Sequence, residues 1–257
     1  MKKAIQFLTS IVFIIALGVA AILLVVAEKE SEGSEWSYEG DHGPAHWGGL
    51  KPDYALCKTG KGQSPIDITN TVKADLPPIQ FGYQPATLRI INNGHTIQVN
   101  YPEGSFVTVG GRQFQLVQFH FHHPSEEKIR GKDFAMVVHL VHRNAEGNLA
   151  VVAVLMDKGR DNAFIKTLWE RLPREVDKEE VSTSVMIDPS GLLPPQRGYY
   201  AYSGSLTTPP CTEGVTWFVL KAPVNLSEAQ IKRFSTLYTH NARPVQPLHG
   251  RVVSETR

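Results

Sequence analysis

The chain is most informative at first for what it has little of. Charge excess is nearly absent: lysine plus arginine number 26 and aspartate plus glutamate 25, a net charge of +1 over 257 residues. No basic surplus exists to hold a phosphate backbone, so nucleic acid is not an expected partner. No internal repeat occurs. Gly60-Lys61 in CKTGKGQS lacks the upstream glycine and following Ser/Thr of a phosphate loop. No Gly-x-Ser-x-Gly elbow marks a dedicated hydrolase. Cysteine is limited to Cys57 and Cys211. In an oxidising compartment such an even pair reads as a disulfide, the alternative being two unrelated buried cysteines.

Long hydrophobic runs are scarce too, with one exception at the start. Lys2 and Lys3 precede an apolar run from Ile11 to Ala27, after which EKESEGSE turns sharply polar. A basic beginning, an apolar centre and small residues before a break describe a secretory signal over residues 1–27, cleaved near Ala27. The run is long for a signal, so an uncleaved anchor is the alternative, and contact with a membrane is expected only in that case. Residues 28–34 form an acidic, flexible linker, and residues 35–257 a single domain with enough chain to bury a substantial core. Either way the domain leaves the cytoplasm and is expected in the periplasm or outside the cell.

What the domain does contain is short strand patterns separated by Gly, Pro and Asn. Residues 87–91, 96–101, 106–109, 113–122, 135–141, 150–156 and 215–220 carry β-branched or aromatic residues at strand lengths. Asn92-Asn93-Gly94 signals a turn. Two helices are predicted. One is capped by Asp161, with Phe164, Ile165, Leu168 and Leu172 on one face. The other opens with a Ser227/Gln230 capping box ahead of Ile231, Phe234 and Leu237. The Asn225-Leu226-Ser227 sequon overlaps that box, and the cap is the preferred reading. The fold class is α+β dominated by β: a large, twisted, mainly antiparallel central sheet with short peripheral helices.

The densest chemistry lies in QFHFHHPSEE, residues 118–127. On a strand, His120 and His122 share one face while Phe119 and Phe121 share the other. Alone, that pair fits a polar, solvated face. A second strand, AMVVHLVH, puts Val137, His139 and Val141 on one face, and SEEKIRGKDF is long enough to bring it alongside. Three histidines with an open fourth position describe a catalytic zinc site on the sheet. A structural site would want a fourth protein ligand, and neither cysteine lies near these strands. His42, His46, His123, His142, His240 and His249 show no spacing that calls for a second metal.

Several separated motifs then occur in order: GPAHW at 43–47, GQSPIDI at 62–68, NNGH at 92–95, QFHFH at 118–122, SEE at 125–127, HLVH at 139–142, GSLTTPPCTEGVTW at 204–217 and NARPVQPL at 241–248. Together they resemble the α-class carbonic anhydrases, of a secreted bacterial type, from Trp36 to about Val253. The resemblance implies reversible hydration of carbon dioxide to bicarbonate and a proton by a zinc-bound hydroxide, with one Zn2+ per chain on His120, His122 and His139. It implies that Thr207 orients the hydroxide with Glu126 as its partner, and that His95 shuttles protons along water ordered by Tyr38. Val141, Val151, Leu206, Val215 and Trp217 would wall the carbon dioxide, with Gln98, Gln118 and Thr208 on the polar side. Val141 through Trp217 read equally well as strand core, and Thr207-Thr208-Pro209-Pro210 as a simple turn.

The resemblance also assigns outer partners to the ligands: Gln118 to His120 and the carbonyl of Asn241 to His122. For His139 the family commonly has a glutamate two residues earlier, where this chain has Val137. Glu127 stands where the family commonly has histidine, so a carboxylate swapped from one strand to the adjoining one is expected. Two other function classes accompany the leading one: a zinc-dependent esterase side activity, and a non-catalytic binding module of the same fold. The three intact histidines argue against the latter. A homodimer is the assembly considered.

Overall fold

The computed structural model describes residues 36–257. The expected signal or anchor segment and the linker lie outside the described residues. Fourteen strands follow in chain order: β1 Asp67–Ile68, β2 Thr71–Ala74, β3 Gln80–Gly82, β4 Ala86–Asn92, β5 Ile97–Asn100, β6 Phe106–Val109 and β7 Arg112–His122. The rest are β8 Lys128–Ile129, β9 Met136–Arg143, β10 Leu149–Lys158, β11 Glu179–Ile187, β12 Tyr199–Ser205, β13 Glu213–Leu226 and β14 Val253–Thr256.

Twelve of these strands form one sheet, ordered β11-β4-β5-β7-β9-β10-β13-β12-β14-β2, with β6 also on β7 and β3 on β6. β1 and β8 make a separate parallel ribbon. Most neighbours in the large sheet are antiparallel, as expected, but β10 with β13 and β14 with β2 are parallel. The sheet is therefore mixed. The parallel β10/β13 contact arises because the chain leaves β10, passes through a helix and two strands, and returns beside it.

Every strand read from the sequence is present, with ends shifted by at most six residues and β6 matched at both ends. Seven strands, β1, β2, β3, β8, β11, β12 and β14, are not among those read from the sequence. β11, EEVSTSVMI, is an edge strand with exposed Val181 and Met186, so burial never imposed an apolar alternation on it. Helix Ala163–Trp169 is capped by Asn162 rather than Asp161: the Asn162 side chain accepts from Ile165 N at 3.1 Å. Gln230 selects this cap by clasping the Asn162 backbone, with Oε1 at 2.9 Å from its N and Nε2 at 2.7 Å from its O. Leu172 lies beyond that helix. The Ser227/Gln230 box is present, but helix Glu228–Ser235 stops before Leu237, which is exposed.

The sheet buries both faces. One face, with Leu88, Val99, Phe119, Phe121, Val138, Leu140 and Val152, packs under the two helices through Leu168, Trp169 and Phe234. The opposite face carries Val137, Val151, Ala153, Val215, Trp217 and Val219. That second face holds the histidines.

Candidate metal centre

β7 and β9 pair antiparallel with His120 directly opposite His139, so all three imidazoles rise from one patch of sheet. The potential ligand atoms lie within 4.8 Å of one another, and this is the one such histidine cluster among the described residues. The ring centroids are 5.0 Å apart for His120 and His122, 5.5 Å for His120 and His139, and 4.8 Å for His122 and His139.

Each imidazole is oriented from behind. Gln118 Oε1 lies 2.8 Å from His120 Nδ1, and the Asn241 carbonyl lies 2.7 Å from His122 Nδ1. The Glu127 carboxylate faces His139 Nε2 with its oxygens at 3.0 and 3.2 Å. These contacts leave Nε2 of His120, Nε2 of His122 and Nδ1 of His139 facing one another.

Electrostatics sort the three rings. Burial pushes His120 down to about 3, helped by His139, and pushes His122 well below its ordinary value, so both are neutral near pH 7. Burial also acts downward on His139, but the charge and hydrogen bond of Glu127 outweigh it and raise this imidazole. Burial lifts Glu126 to about 7; His139, the Arg243 N–H and the Thr207 hydroxyl pull it down, while the Glu127 charge adds to the rise.

His122 Nε2 and Glu126 Oε2, 3.5 Å apart and both buried, have no hydrogen-bond partner. Glu126 Oε2 also lies 3.8 Å from His139 Nδ1. Two buried acceptors facing each other without a donor, the His122 Nε2 lone pair and a Glu126 carboxylate oxygen, call for a positive charge beside them. A zinc ion held by His120, His122 and His139 would meet that need, and the donor set fits it.

The remaining expected residues surround the cluster. Val141, Val151 and Trp217 sit in register across β9, β10 and β13, with Val215 two residues before Trp217 and Leu206 packed against the same cluster. Trp217 meets the His139 ring edge-on at 4.9 Å. Gln98 lies opposite His120 on β5, its amide bound to Asn100 Oδ1 at 2.7 Å. Thr207 is buried and Thr208 half-buried on the loop after β12, whose end is held to Cys57 by the Cys57–Cys211 disulfide. His95 sits in a turn where Asn93 Oδ1 accepts from the backbone N of His95 and Thr96 at 3.0 and 2.9 Å. Gly94 adopts φ +80° there, a conformation a side chain would strain. The Tyr38 phenol is raised by burial and by the Glu126 charge, so it stays protonated.

Three contributors were not read from the sequence. Trp36 stacks on His95 at 3.7 Å between centroids and 11° between planes. Arg243 is buried against Trp47; its backbone N–H donates to Glu126 Oε1 at 2.8 Å, and its guanidinium reaches Gln63 Oε1, Ser64 O and Cys57 O. The Asn241 side chain joins the His95 turn to the ligand strand by donating to the carbonyls of His95 and Phe121, both at 3.0 Å. Both Asn241 and Arg243 lie in NARPVQPL, a proline-interrupted stretch with no periodicity to betray its burial.

Comparison with known proteins follows this geometry. A family model described as eukaryotic-type carbonic anhydrase matches residues 42–257. A carbonic anhydrase of Pectobacterium carotovorum is 47% identical over 92% of this chain and 98% of its own length. One from Klebsiella pneumoniae is 46% identical over 93% and 99%. The α-carbonic anhydrase of Thermovibrio ammonificans, solved with the inhibitor sulfanilamide, superposes with a TM-score of 0.83 at 45% identity, covering 86% of this chain and 99% of that one. With match and geometry in agreement along the whole described domain, the chain belongs to the eukaryotic-type, or α-class, carbonic anhydrase family.

Proposed function

We propose that this chain catalyses the reversible hydration of carbon dioxide to bicarbonate and a proton, with one zinc ion held by His120, His122 and His139. The observation that carries the reading is the convergence of three imidazole nitrogens within 4.8 Å beside a buried, unpartnered His122 Nε2. When bound, zinc supplies Lewis acidity that lets water at its open position ionise near pH 7, the established behaviour of this enzyme class.

The protein's own residues do the rest. Gln118 and the Asn241 carbonyl fix the tautomers of His120 and His122. The Thr207 hydroxyl donates a hydrogen bond to Glu126, leaving the Thr207 oxygen to act as an acceptor. That favours a reacting oxygen that still carries a proton and turns its lone pair toward carbon dioxide. The Arg243 N–H keeps Glu126 in place for this task. Carbon dioxide has no net charge, so Val141, Val151, Leu206, Val215 and Trp217 hold it without competing hydration, with Gln98 and Thr208 on the polar side. His95 takes the released proton to solvent, an imidazole being able to accept at one nitrogen and donate from the other, and the protonated Tyr38 phenol orders the intervening water. An exported location, periplasmic or extracellular, is supported by the Cys57–Cys211 disulfide. No helix among the described residues is long and apolar enough to cross a membrane.

Zinc content and stopped-flow carbon dioxide hydration, native against His122→Ala, test the reading. The expected result is about one zinc per native chain with hydration well above the buffer rate, and loss of both in the variant. Hydration unchanged in His122→Ala, or none from zinc-loaded native protein, overturns it.

A further inference from the structure

His120 takes its outer acceptor from its own strand, two residues away at Gln118. His139 has apolar Val137 and Val141 at the corresponding positions of β9, and neither can accept a proton. Its Nε2 instead meets both oxygens of Glu127, a fully buried carboxylate from outside the large sheet. Glu127 directly precedes β8, which pairs with β1 in the separate ribbon. Lys128 N donates to Ile66 O at 3.3 Å and Arg130 N to Ile68 O at 3.1 Å, so the backbone beside Glu127 is anchored to β1. Ser125 closes the loop behind it. Its Oγ donates to Glu127 O and accepts from Phe134 N, both at 2.9 Å, while its own N donates to Phe134 O at 3.0 Å.

We infer that Glu127 is the positioning residue for His139, and that it couples metal retention to closure of residues 125–134 on the β1–β8 ribbon. The inference rests on reading His120, His122 and His139 as metal ligands. Opening the ribbon withdraws the acceptor, leaves a buried N–H unpaired and frees the ring to turn. A cation on the far side of the ring makes that N–H a stronger donor and draws the carboxylate in. The coupling is reciprocal: what stabilises the closed ribbon holds the metal, and the metal holds the ribbon.

Two readouts test this without reference to catalysis: the rate at which zinc passes to an excess chelator, and hydrogen exchange at the Lys128 and Arg130 amides with and without zinc. Glu127→Gln should release zinc about 10-fold faster or more, the usual scale for losing an outer partner of a metal ligand. Ser125→Ala touches no ligand and should accelerate release about 5-fold or more, since it removes both hydrogen bonds that the Ser125 Oγ makes in the loop. In native protein zinc should slow exchange at the two amides, and that slowing should vanish in Glu127→Gln. Unchanged zinc release in Glu127→Gln overturns the positioning role. Exchange indifferent to zinc in native protein overturns the coupling, as does Ser125→Ala releasing zinc at the native rate. Should Glu127→Gln fail to fold, the other two measurements decide. Native protein that retains no zinc overturns the reading of the site itself; zinc held equally by native and Glu127→Gln protein overturns this inference alone.

Discussion

The floor of the site and its rim are built on different principles. The floor is a stretch of β-ladder in which side-chain alternation alone puts His120, His122 and His139 on one face and Phe119, Phe121, Val138 and Leu140 on the other. The rim, comprising Glu126, Thr207, Asn241 and Arg243, has no ladder. It is held by single contacts between distant parts of the chain, such as Arg243 N to Glu126 and Cys57 to Cys211. A ladder distributes its geometry over many equivalent bonds and tolerates the loss of one; the rim depends on each contact separately.

The largest effect should come from cutting the rim's covalent tie. The disulfide closes a sequence separation of 154 residues, so on the chain-entropy model Cys57→Ser/Cys211→Ser loses about 5 kcal/mol. Denaturant unfolding measures it, and zinc binding at low temperature should persist if the floor stands independently. Equal loss of zinc and stability would erase the distinction between the two regions.

Next is Arg243→Met. It orphans the acceptors on Gln63, Ser64 and Cys57, and should cost about 3 kcal/mol or more. The Arg243 N–H to Glu126 survives that substitution, so zinc content should be less affected than the unfolding midpoint.

A third test probes the sheet beneath the floor. His142 is buried, its Nε2 2.9 Å from the Tyr83 hydroxyl, and burial lowers it to about 3. Between pH 6.5 and about 3 the unfolded chain binds a proton at this position that the folded chain refuses. Stability therefore falls as pH drops through that window, by up to about 1.4 kcal/mol per pH unit from this group. His142→Gln should flatten the slope of unfolding free energy against pH relative to native protein, whatever its absolute stability at pH 7. An unchanged slope would show that His142 is not the group responsible.

The smallest effect is a control on neither region. Ser227→Ala removes the helix cap that binds Gln230 N and should cost about 1 kcal/mol, with zinc release unchanged.

The same division explains what was legible in the sequence. Period-two alternation exposes the floor, because QFHFH and VVHLV reveal which residues share a face without any knowledge of distant partners. The capping box at Ser227 was equally local. Asn162 took the cap expected of Asp161 because Gln230, on another helix, clasps its backbone; no local pattern carries that information. The rim roles of Glu126, Thr207 and His95 came only from ordered motif resemblance. Arg243 and the Asn241 side chain were missed, since burial of a polar loop residue depends on what folds over it. Edge strands such as β11 were invisible because neither face is buried along most of the strand, so no apolar alternation is imposed.

The floor and the rim also differ in time. The ligand strands occupy one short stretch of chain, residues 112–143, joined by an antiparallel connection. Their pairing requires nothing that is synthesised later. Arg243 and Asn241 lie near the C-terminal end, beyond both helices, and the carbonyl that steadies His122 arrives with them. A chain delivered from its N-terminus can therefore gather its three imidazoles, with Gln118 and Glu127 already beside two of them, before the Asn241 carbonyl arrives to steady the third.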